Sequence, residues 1–435
     1  MKITTTCRAV LAFSAVLVAA PLGAATADSP NWPGFRGPNG NGLAPNANPP
    51  LTWSETNHIA WKVPVTGRGR SSPIFIGNRI WLTTAVEKNV VRTRIGSDDM
   101  QVAEHVSLRV VCLDRTSGKS LWETTLFDVA KPDSVHWLNS WATPTPVAEA
   151  GRVYCEFGTF GTACLEADTG KVVWKKQIRC DHQVGPGSSP ILWKDRLILV
   201  RDGREAQYVI ALNKENGEVI WKTDRPPVTA NSPNLKKSFS SPLIIEATGK
   251  TQVFSAGPHW AVAYDPDSGK ELWRVQHGKG FSIGTCPIYG QGLVFFGTGC
   301  FKAQLYAVRP DGQGDVTTNQ VAWKTLRQVP VMSSPILVGE EIYWIADDGM
   351  ATCANARTGD IHWQERLGSG CLASPIAAQG RLYFFMKDAK TIVLKAGKQF
   401  ERLAENVLEG TLIATPAVSD CGFYLRTDTH VYCLE

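Results

Sequence analysis

Eight short segments that end in proline, each followed by an apolar run, recur along this chain of 435 residues. From the second segment onward they lie about 40 to 50 residues apart, a spacing typical of β-propeller blades. Such units must pack against one another, because a single unit cannot bury both of its faces. The eight segments are residues 71–73, 144–146, 188–190, 240–242, 285–287, 333–335, 373–375 and 414–416.

Most of the repeats also end alike, with an Asp or Asn turn, a glycine and a tryptophan. The clearest copy runs from Asp168 through Gly170 to Trp174. Asp starts the turn through its side chain, and glycine supplies the positive φ that other residues resist. The tryptophan offers a large apolar surface to the neighbouring unit. We therefore predict blade-docking roles for Trp61, Trp122, Trp174, Trp221, Trp273, Trp323 and Trp363.

The last repeat has no such ending, because the chain stops at Glu435. Residues 59–63 contain Trp61 and can supply the missing outer strand, which would also remove an exposed sheet edge. We predict an all-β fold, an eight-bladed β-propeller of four-stranded antiparallel blades over residues 53–435, with the last blade closed by the N-terminal strand. Seven blades is the alternative, because the unit around Phe400 lacks the tryptophan.

The N-terminal residues indicate export. Residues 1–27 combine Lys2 and Arg8, a short apolar stretch and a small-residue cleavage site, which predicts a signal peptide and a periplasmic or extracellular location. Residues 28–52 are predicted to form an extended segment. The formal charge of +5 falls to +3 without Lys2 and Arg8, too little to favour nucleic acid as a partner. No segment is long enough to predict a membrane span.

The alternation of proline-started strands with endings of the Asp168–Trp174 type resembles the pyrroloquinoline quinone (PQQ) propeller repeat. The resemblance covers residues 53–435, and residues 32–40 resemble the N-terminal stretch of exported PQQ-like propellers of bacteria. That family includes quinoprotein dehydrogenases, which bind PQQ and calcium on the propeller axis. It also includes scaffolds such as the propeller lipoprotein of the β-barrel assembly machinery. The repeat provides the packing between blades, so its presence does not distinguish dehydrogenases from scaffolds.

The dehydrogenase features that the resemblance implies are missing here. The chain has neither adjacent cysteines nor a Cys-x-x-Cys-His stretch. Calcium usually takes several carboxylates, and Asp181 is the one acid near the segments that precede the innermost strands. We therefore expect a non-catalytic, monomeric scaffold without cofactor or metal, which binds a protein or another envelope component. A PQQ- and calcium-dependent alcohol or sugar dehydrogenase is one alternative.

A carbohydrate-binding propeller is the other alternative. It would use tryptophans outside the docking positions, which can stack on sugar faces: Trp32, Trp137, Trp141, Trp193, Trp260 and Trp344. The first repeat is stretched by polar insertions at 87–104 and 128–140, and long loops on a rigid scaffold often carry recognition. Trp137 and Trp141 therefore belong either to a partner surface or to a cap over the channel.

The segments that precede the innermost strands should converge on one mouth of the axial channel. A mixed cationic and aromatic mouth would suit a small anionic or aromatic ligand. The candidate ligand residues at this mouth are Arg70, Trp141, His182, Lys237, Phe281 and Cys286.

Cysteines allow one further prediction. Cys155 and Cys164 lie symmetrically about residues 158–161, which are typical of a hairpin turn. If both flanking runs are strands, the two thiols would face each other within disulfide reach. The alternative is that both are buried thiols that pack as small hydrophobic side chains.

Overall fold

The structure, a computed structural model, describes residue 1 and residues 31–420 and 422–435. The predicted signal peptide lies, beyond Met1, outside the described residues. Those residues form eight sheets of four or five strands and one additional three-stranded sheet. In this part of the chain, helix is limited to two short 3-10 turns, Gly158–Phe160 and Pro233–Lys236. Within the described ranges no helix has the length and apolar character needed to cross a membrane.

We call the eight larger sheets blades and number them in the order of the proline segments. The strands of blades 1 to 4 are given from the innermost outward. Blade 1 comprises Ile74–Ile76, Arg79–Lys88, His105–Asp114 and Ser120–Ala130; blade 2 comprises Val147–Glu149, Arg152–Glu156, Thr162–Glu166 and Val172–Lys176; blade 3 comprises Ile191–Trp193, Arg196–Asp202, Gln207–Asn213 and Val219–Asp224; blade 4 comprises Leu243–Ala247, Lys250–Ala256, Trp260–Tyr264 and Glu271–Gln276.

Blades 5 to 8 follow the same antiparallel order. Blade 5 comprises Ile288–Gly290, Leu293–Gly297, Leu305–Val308 and Val321–Thr325; blade 6 comprises Ile336–Val338, Glu341–Ile345, Met350–Asn355 and Ile361–Arg366; blade 7 comprises Ile376–Ala378, Arg381–Phe385, Lys390–Lys395 and Arg402–Val407; blade 8 comprises Ala417–Val418, Phe423–Arg426, His430–Leu434 and Ile59–Pro64. The predicted all-β fold of four-stranded antiparallel blades is confirmed.

Ring closure occurs where the sequence predicts it. The N-terminal strand pairs antiparallel with the last strand of the chain, with Lys62 opposite Tyr432 and Pro64 opposite His430. Hydrophobic core clusters join successive blades, and one cluster joins blades 7, 8 and 1. The insertion in blade 5 supplies Gly314–Asp315, which pairs in parallel with the outer strand of blade 4 as a fifth strand.

The docking tryptophans reach the next blade along the ring. The Trp174 indole N–H donates to the Lys214 carbonyl at 2.9 Å, and the Trp323 indole N–H donates to the Ala356 carbonyl at 2.8 Å. Trp61, Trp122, Trp221 and Trp363 make the equivalent bond. Trp273 differs: it donates to Gln252 of its own blade and lies beneath the added fifth strand.

In five of the turns, at Gly118, Gly170, Gly217, Gly269 and Gly359, the glycine accommodates the tryptophan of the preceding blade. A Cβ atom on Gly170 would lie 2.5 Å from the Trp122 ring, and one on Gly217 would lie 2.8 Å from the Trp174 ring. Both glycines also adopt a positive φ. The motif therefore requires glycine for two reasons, the turn conformation and the close approach of the indole.

The proline segments have a role that the sequence analysis did not find. The hydroxyl of the middle residue in one segment accepts the backbone N–H of its counterpart in the preceding blade. Ser189 N–H donates to Ser241 Oγ at 2.8 Å, and Ser374 N–H donates to Thr415 Oγ1 at 2.9 Å. We call these six hydrogen bonds, which join blades 1 to 4 and blades 5 to 8, the belt. Cys286 places a thiol where the other segments carry a hydroxyl.

Candidate functional site

The axial channel has two mouths, which differ in what covers them. We call the face at which each innermost strand begins the upper face, and the face at which it ends the lower face. The insertions of the first repeat lie at the upper face, where Val91–Ile95, Asp98–Val102 and Val135–His136 form the additional three-stranded sheet. This sheet contacts blade 3 through the His136 N–H, which donates to the Val184 carbonyl at 3.0 Å.

A chain of polar contacts joins the insertion to the segments before blades 3 and 4 at the upper face. The Lys237 ammonium donates to the Gln183 side-chain oxygen, and the Gln183 amide donates to the Asp98 carboxylate at 3.1 Å. Lys237 of the blade 4 segment is buried, and burial lowers its pKa. The insertion thus contacts the segments that lead into blades 3 and 4.

The other predicted mouth residues have differing surroundings. Trp141 is fully buried between blades 1 and 2, where its indole N–H donates to the Asp133 carbonyl at 2.8 Å. Phe281 is buried against the exposed Phe301, with ring centroids 5.3 Å apart. Cys286 lies in the belt, and Arg70 is half-buried, with its pKa lowered to about 10 mainly by burial. A ligand site built from all six residues remains a prediction.

His182, the sixth candidate, is buried in the upper part of blade 3. Its Nδ1 lies 3.9 Å from the Cys180 thiol, and its ring packs 6.1 Å from the Phe239 ring. Burial, with a further contribution from Arg201, lowers the His182 pKa from 6.5 to about 3. His277 is also buried, and its pKa falls from 6.5 to about 4, again chiefly through burial.

These two histidines predict acid sensitivity. A histidine whose pKa is lowered by folding contributes stability that is present above pH 6.5 and is lost as the pH falls toward its folded value. We expect the free energy of unfolding to fall by about 1.4 kcal/mol per pH unit for each buried histidine below pH 6.5. Urea denaturation at pH 7, 6, 5 and 4.5 measures this slope. His182→Gln should make the slope shallower. A slope that His182→Gln leaves unchanged would contradict this account.

The predicted disulfide is wrong. Cys155 stands opposite Ala163, and Cys164 stands opposite Tyr154. This offset of one residue places the two thiols on opposite faces of blade 2, where they join different core clusters as free cysteines. The alternative, two buried thiols packed as small hydrophobic side chains, describes both residues.

Four cysteines share one position in the repeat. Each stands opposite the docking tryptophan of its blade: Cys112 opposite Trp122, Cys164 opposite Trp174, Cys353 opposite Trp363 and Cys433 opposite Trp61. Alanine takes this position in blades 3, 4 and 5. A small side chain is needed beside the indole, so these cysteines belong to the packing. The constant spacing before the tryptophan is the sequence signal that could have shown this.

The lower mouth is filled by the chain itself. Residues 31–48, which we call the plug, pass the inner strands of several blades and turn repeatedly instead of running extended. Trp32 exchanges backbone hydrogen bonds with Phe75 of blade 1, and Ala44 donates to Ala377 of blade 7 at 2.8 Å. A cavity of about 410 Å³ remains between the plug and blades 2 to 5, lined by Phe35, Trp193 and Leu243 among others.

One surface of the insertion at the upper face is open. Residues 91–102, which we call the edge hairpin, present Val91, Ile95 and Val102 with 61%, 47% and 38% of their surface exposed. Val91 stands directly opposite Val102. Strand Val91–Ile95 is at the edge of its sheet and pairs only with Asp98–Val102 among the described strands. On the other face of the hairpin, the Arg92 guanidinium lies 4.3 Å from the centre of the Trp137 ring.

The tryptophans outside the docking positions do not form an aromatic groove. Trp32, Trp141 and Trp344 are buried. Trp193 and Trp260 are half-buried, and each lies beneath a cation, Lys194 at 5.0 Å and Arg274 at 5.2 Å respectively. Across residues 31–420 and 422–435, no three His, Cys, Asp or Glu side chains cluster closely enough to hold a metal ion.

Comparison with known proteins decides the family. Residues 106–256 and 259–400 match the family profile described as outer membrane protein assembly factor BamB. The chain belongs to this family of PQQ-repeat propellers. The solved structure of BamB from Moraxella catarrhalis superposes with a TM-score of 0.55 at 14% identity, over 81% of this chain and 98% of that one. The propeller fold predicted from the repeats is therefore confirmed.

Curated relatives share part of the chain. Tetrathionate hydrolase from Acidithiobacillus ferrooxidans is 23% identical over 56% of this chain and 48% of its own length. BamB from Shewanella oneidensis is 21% identical over 52% of this chain and 57% of its own length. Quinoprotein alcohol dehydrogenases also match. The matched region thus covers about half or less of the length of the first relatives. Both enzymes and assembly factors are among the relatives.

Proposed function

We propose that this protein is a non-catalytic scaffold of the cell envelope, which binds a protein partner and works as a monomer without PQQ or calcium. The observation that carries the proposal is the edge hairpin. It combines an exposed apolar face with an unpaired strand edge, and proteins usually protect such edges from unwanted pairing. An extended segment of a partner could add to Val91–Ile95 as a further strand and cover the valines.

The channel supports the non-catalytic part of the proposal. Quinoprotein dehydrogenases hold their cofactor on the propeller axis, as the family resemblance implies. Here the polar chain from Lys237 to Asp98 joins the insertion to blades 3 and 4 at the upper face, and the plug pairs with inner strands at the lower mouth. Similarity to the BamB family supports a role in the envelope.

Site-specific photocrosslinking in the native host tests the proposed partner surface. A photoreactive amino acid at Val91 should give one discrete adduct, whereas the same probe at Leu121, which is 48% exposed on the outer strand of blade 1, should not. Thr93→Pro removes a backbone donor from the edge hairpin and should abolish the Val91 adduct. Equal labelling at Val91 and Leu121, or no adduct at either, would contradict the proposed docking surface.

Titration with PQQ and calcium separates the scaffold from the dehydrogenase. We expect tryptophan fluorescence and absorbance to show no saturable binding at micromolar PQQ. Stoichiometric binding, followed by dye-linked alcohol oxidation, would replace the scaffold proposal by the quinoprotein alternative. The two experiments are independent, because one reports on the edge hairpin and the other on the channel.

A further inference from the structure

A charged side chain is buried in the axial channel without a matching charge. Arg36, at the first turn of the plug, has none of its surface exposed. Its Nη2 donates to the carbonyls of Asn41 at 3.0 Å and Pro335 at 2.8 Å. Its Nε and Nη1 have no hydrogen-bond partner among the described residues. Burial lowers the Arg36 pKa to about 10, so the guanidinium is still charged at neutral pH.

No carboxylate among the described residues forms a salt bridge with Arg36. Two other buried arginines are paired: Arg201 lies 3.0 Å from Glu156, and Arg225 lies 2.6 Å from Asp202. Arg426 is also buried without an acidic partner, but its Nη1 donates to oxygens of Ser71 and Thr83. Among the residues that the structure describes, the one ionisable neighbour that favours the charged form of Arg36 is the Cys286 thiol. A buried, uncompensated charge is strongly unfavourable, and unpaired N–H donors add to the cost.

The turn of the plug around Gly42 holds the Arg36 side chain in place. Gly42 adopts a φ of +77° and comes so close that a Cβ atom would lie 3.0 Å from Arg36 Nη2 and 3.0 Å from the Pro375 carbonyl. Gly42 N–H also donates to the Arg36 carbonyl at 2.9 Å. The turn thus directs the guanidinium toward the inner strands of blades 6 and 7. Arg36 does not line the 410 Å³ cavity between the plug and blades 2 to 5.

We propose that a compact monovalent anion, the size of chloride or formate, occupies the axial channel beside Arg36 and accepts hydrogen bonds from Nε and Nη1. Such an anion would supply the missing counterion and would satisfy the free donors at once. It would link the plug to the ring, because Arg36 already contacts blade 6. A larger anion, such as a peptide carboxylate with its chain, does not suit a guanidinium with no exposed surface.

Crystals of the mature protein grown in bromide instead of chloride test the site directly. We expect an anomalous bromide peak within hydrogen-bond distance of Arg36 Nε or Nη1, and its loss in Arg36→Gln. In solution, the melting temperature should rise with chloride concentration at constant ionic strength and then saturate. Formate in place of chloride distinguishes a halide site from a carboxylate site. Arg152→Gln, a change of a blade 2 arginine outside the channel, should retain the chloride dependence.

Two results would overturn the proposal. One is a structure in which ordered water alone meets the free Arg36 donors and the melting temperature is insensitive to the anion. The other is a bromide peak without any anion dependence in solution, which would indicate an adventitious ion only. If Arg36→Gln fails to fold, the chloride titration of the unaltered protein still decides between these results. Neither experiment depends on the edge hairpin or on its partner.

Discussion

Gly170→Ala is expected to lower the free energy of unfolding by about 2 to 5 kcal/mol. Two effects add. Gly170 has a φ of +69°, and a side chain in this left-handed region costs about 1 to 2 kcal/mol. The new Cβ would also lie 2.5 Å from the Trp122 ring, and overpacking of this kind costs about 1 to 3 kcal/mol. Urea denaturation followed by tryptophan fluorescence measures the loss.

Gly151 provides a matched control in the same blade. Its φ of +79° is similar, but a Cβ atom there would meet nothing within 4 Å. Gly151→Ala should therefore show only the conformational cost of about 1 to 2 kcal/mol. If the two variants lose the same stability, the contact between the turn glycine and the tryptophan of the preceding blade contributes nothing, and the docking interpretation is wrong.

Asp202→Ala is expected to cost about 3 to 5 kcal/mol, because it leaves a buried arginine without its partner. Asp202 Oδ1 accepts from Arg225 Nε at 2.6 Å, and both side chains are fully buried. Arg225 also donates to the carbonyl and the hydroxyl of Ser255 in blade 4. The pair therefore joins blades 3 and 4, and its loss should reduce the cooperativity of unfolding between them.

A surface pair and a double variant complete this test. Asp267 lies 3.0 Å from Lys194 with about half of each side chain exposed, so Asp267→Ala should cost about 0 to 1 kcal/mol. Replacement of both buried partners, Asp202→Leu with Arg225→Met, should recover most of the stability lost in Asp202→Ala. A double variant as unstable as the single one would mean that the buried pair itself, and not the uncompensated charge, sets the effect.

The candidate site was harder to predict than the fold. Trp141 and Cys286 precede inner strands just as Lys237 does, so the sequence placed all of them at one mouth. In the structure, Trp141 fills the core between two blades and Cys286 belongs to the belt. Lys237 instead meets Gln183 and, through it, Asp98 of a distant insertion. Which of these residues meet depends on loop paths, and no repeat encodes those.

The disulfide prediction failed because it too depended on geometry that the local sequence does not specify. The sequence showed two cysteines equally far from a turn, but the register of a hairpin depends on the turn geometry, which residues 158–161 do not reveal on their own. One residue of offset moved Cys155 and Cys164 to opposite faces. The spacing from Cys164 to Trp174, in contrast, recurs in other blades and carries the structural information.

The sequence by itself determined the blade. Its proline segments, turn glycines and tryptophans are local patterns, and each repeat contains all that is needed to specify four antiparallel strands. Trp61 also showed which strand closes the ring. The last repeat lacks an outer strand with a tryptophan, and the N-terminal strand that contains Trp61 supplies one. The tertiary structure alone decided how the repeats act together. The belt of hydroxyls, the plug with Arg36 and the insertion over the upper mouth join residues far apart in the chain, and such contacts depend on geometry that only the closed ring creates.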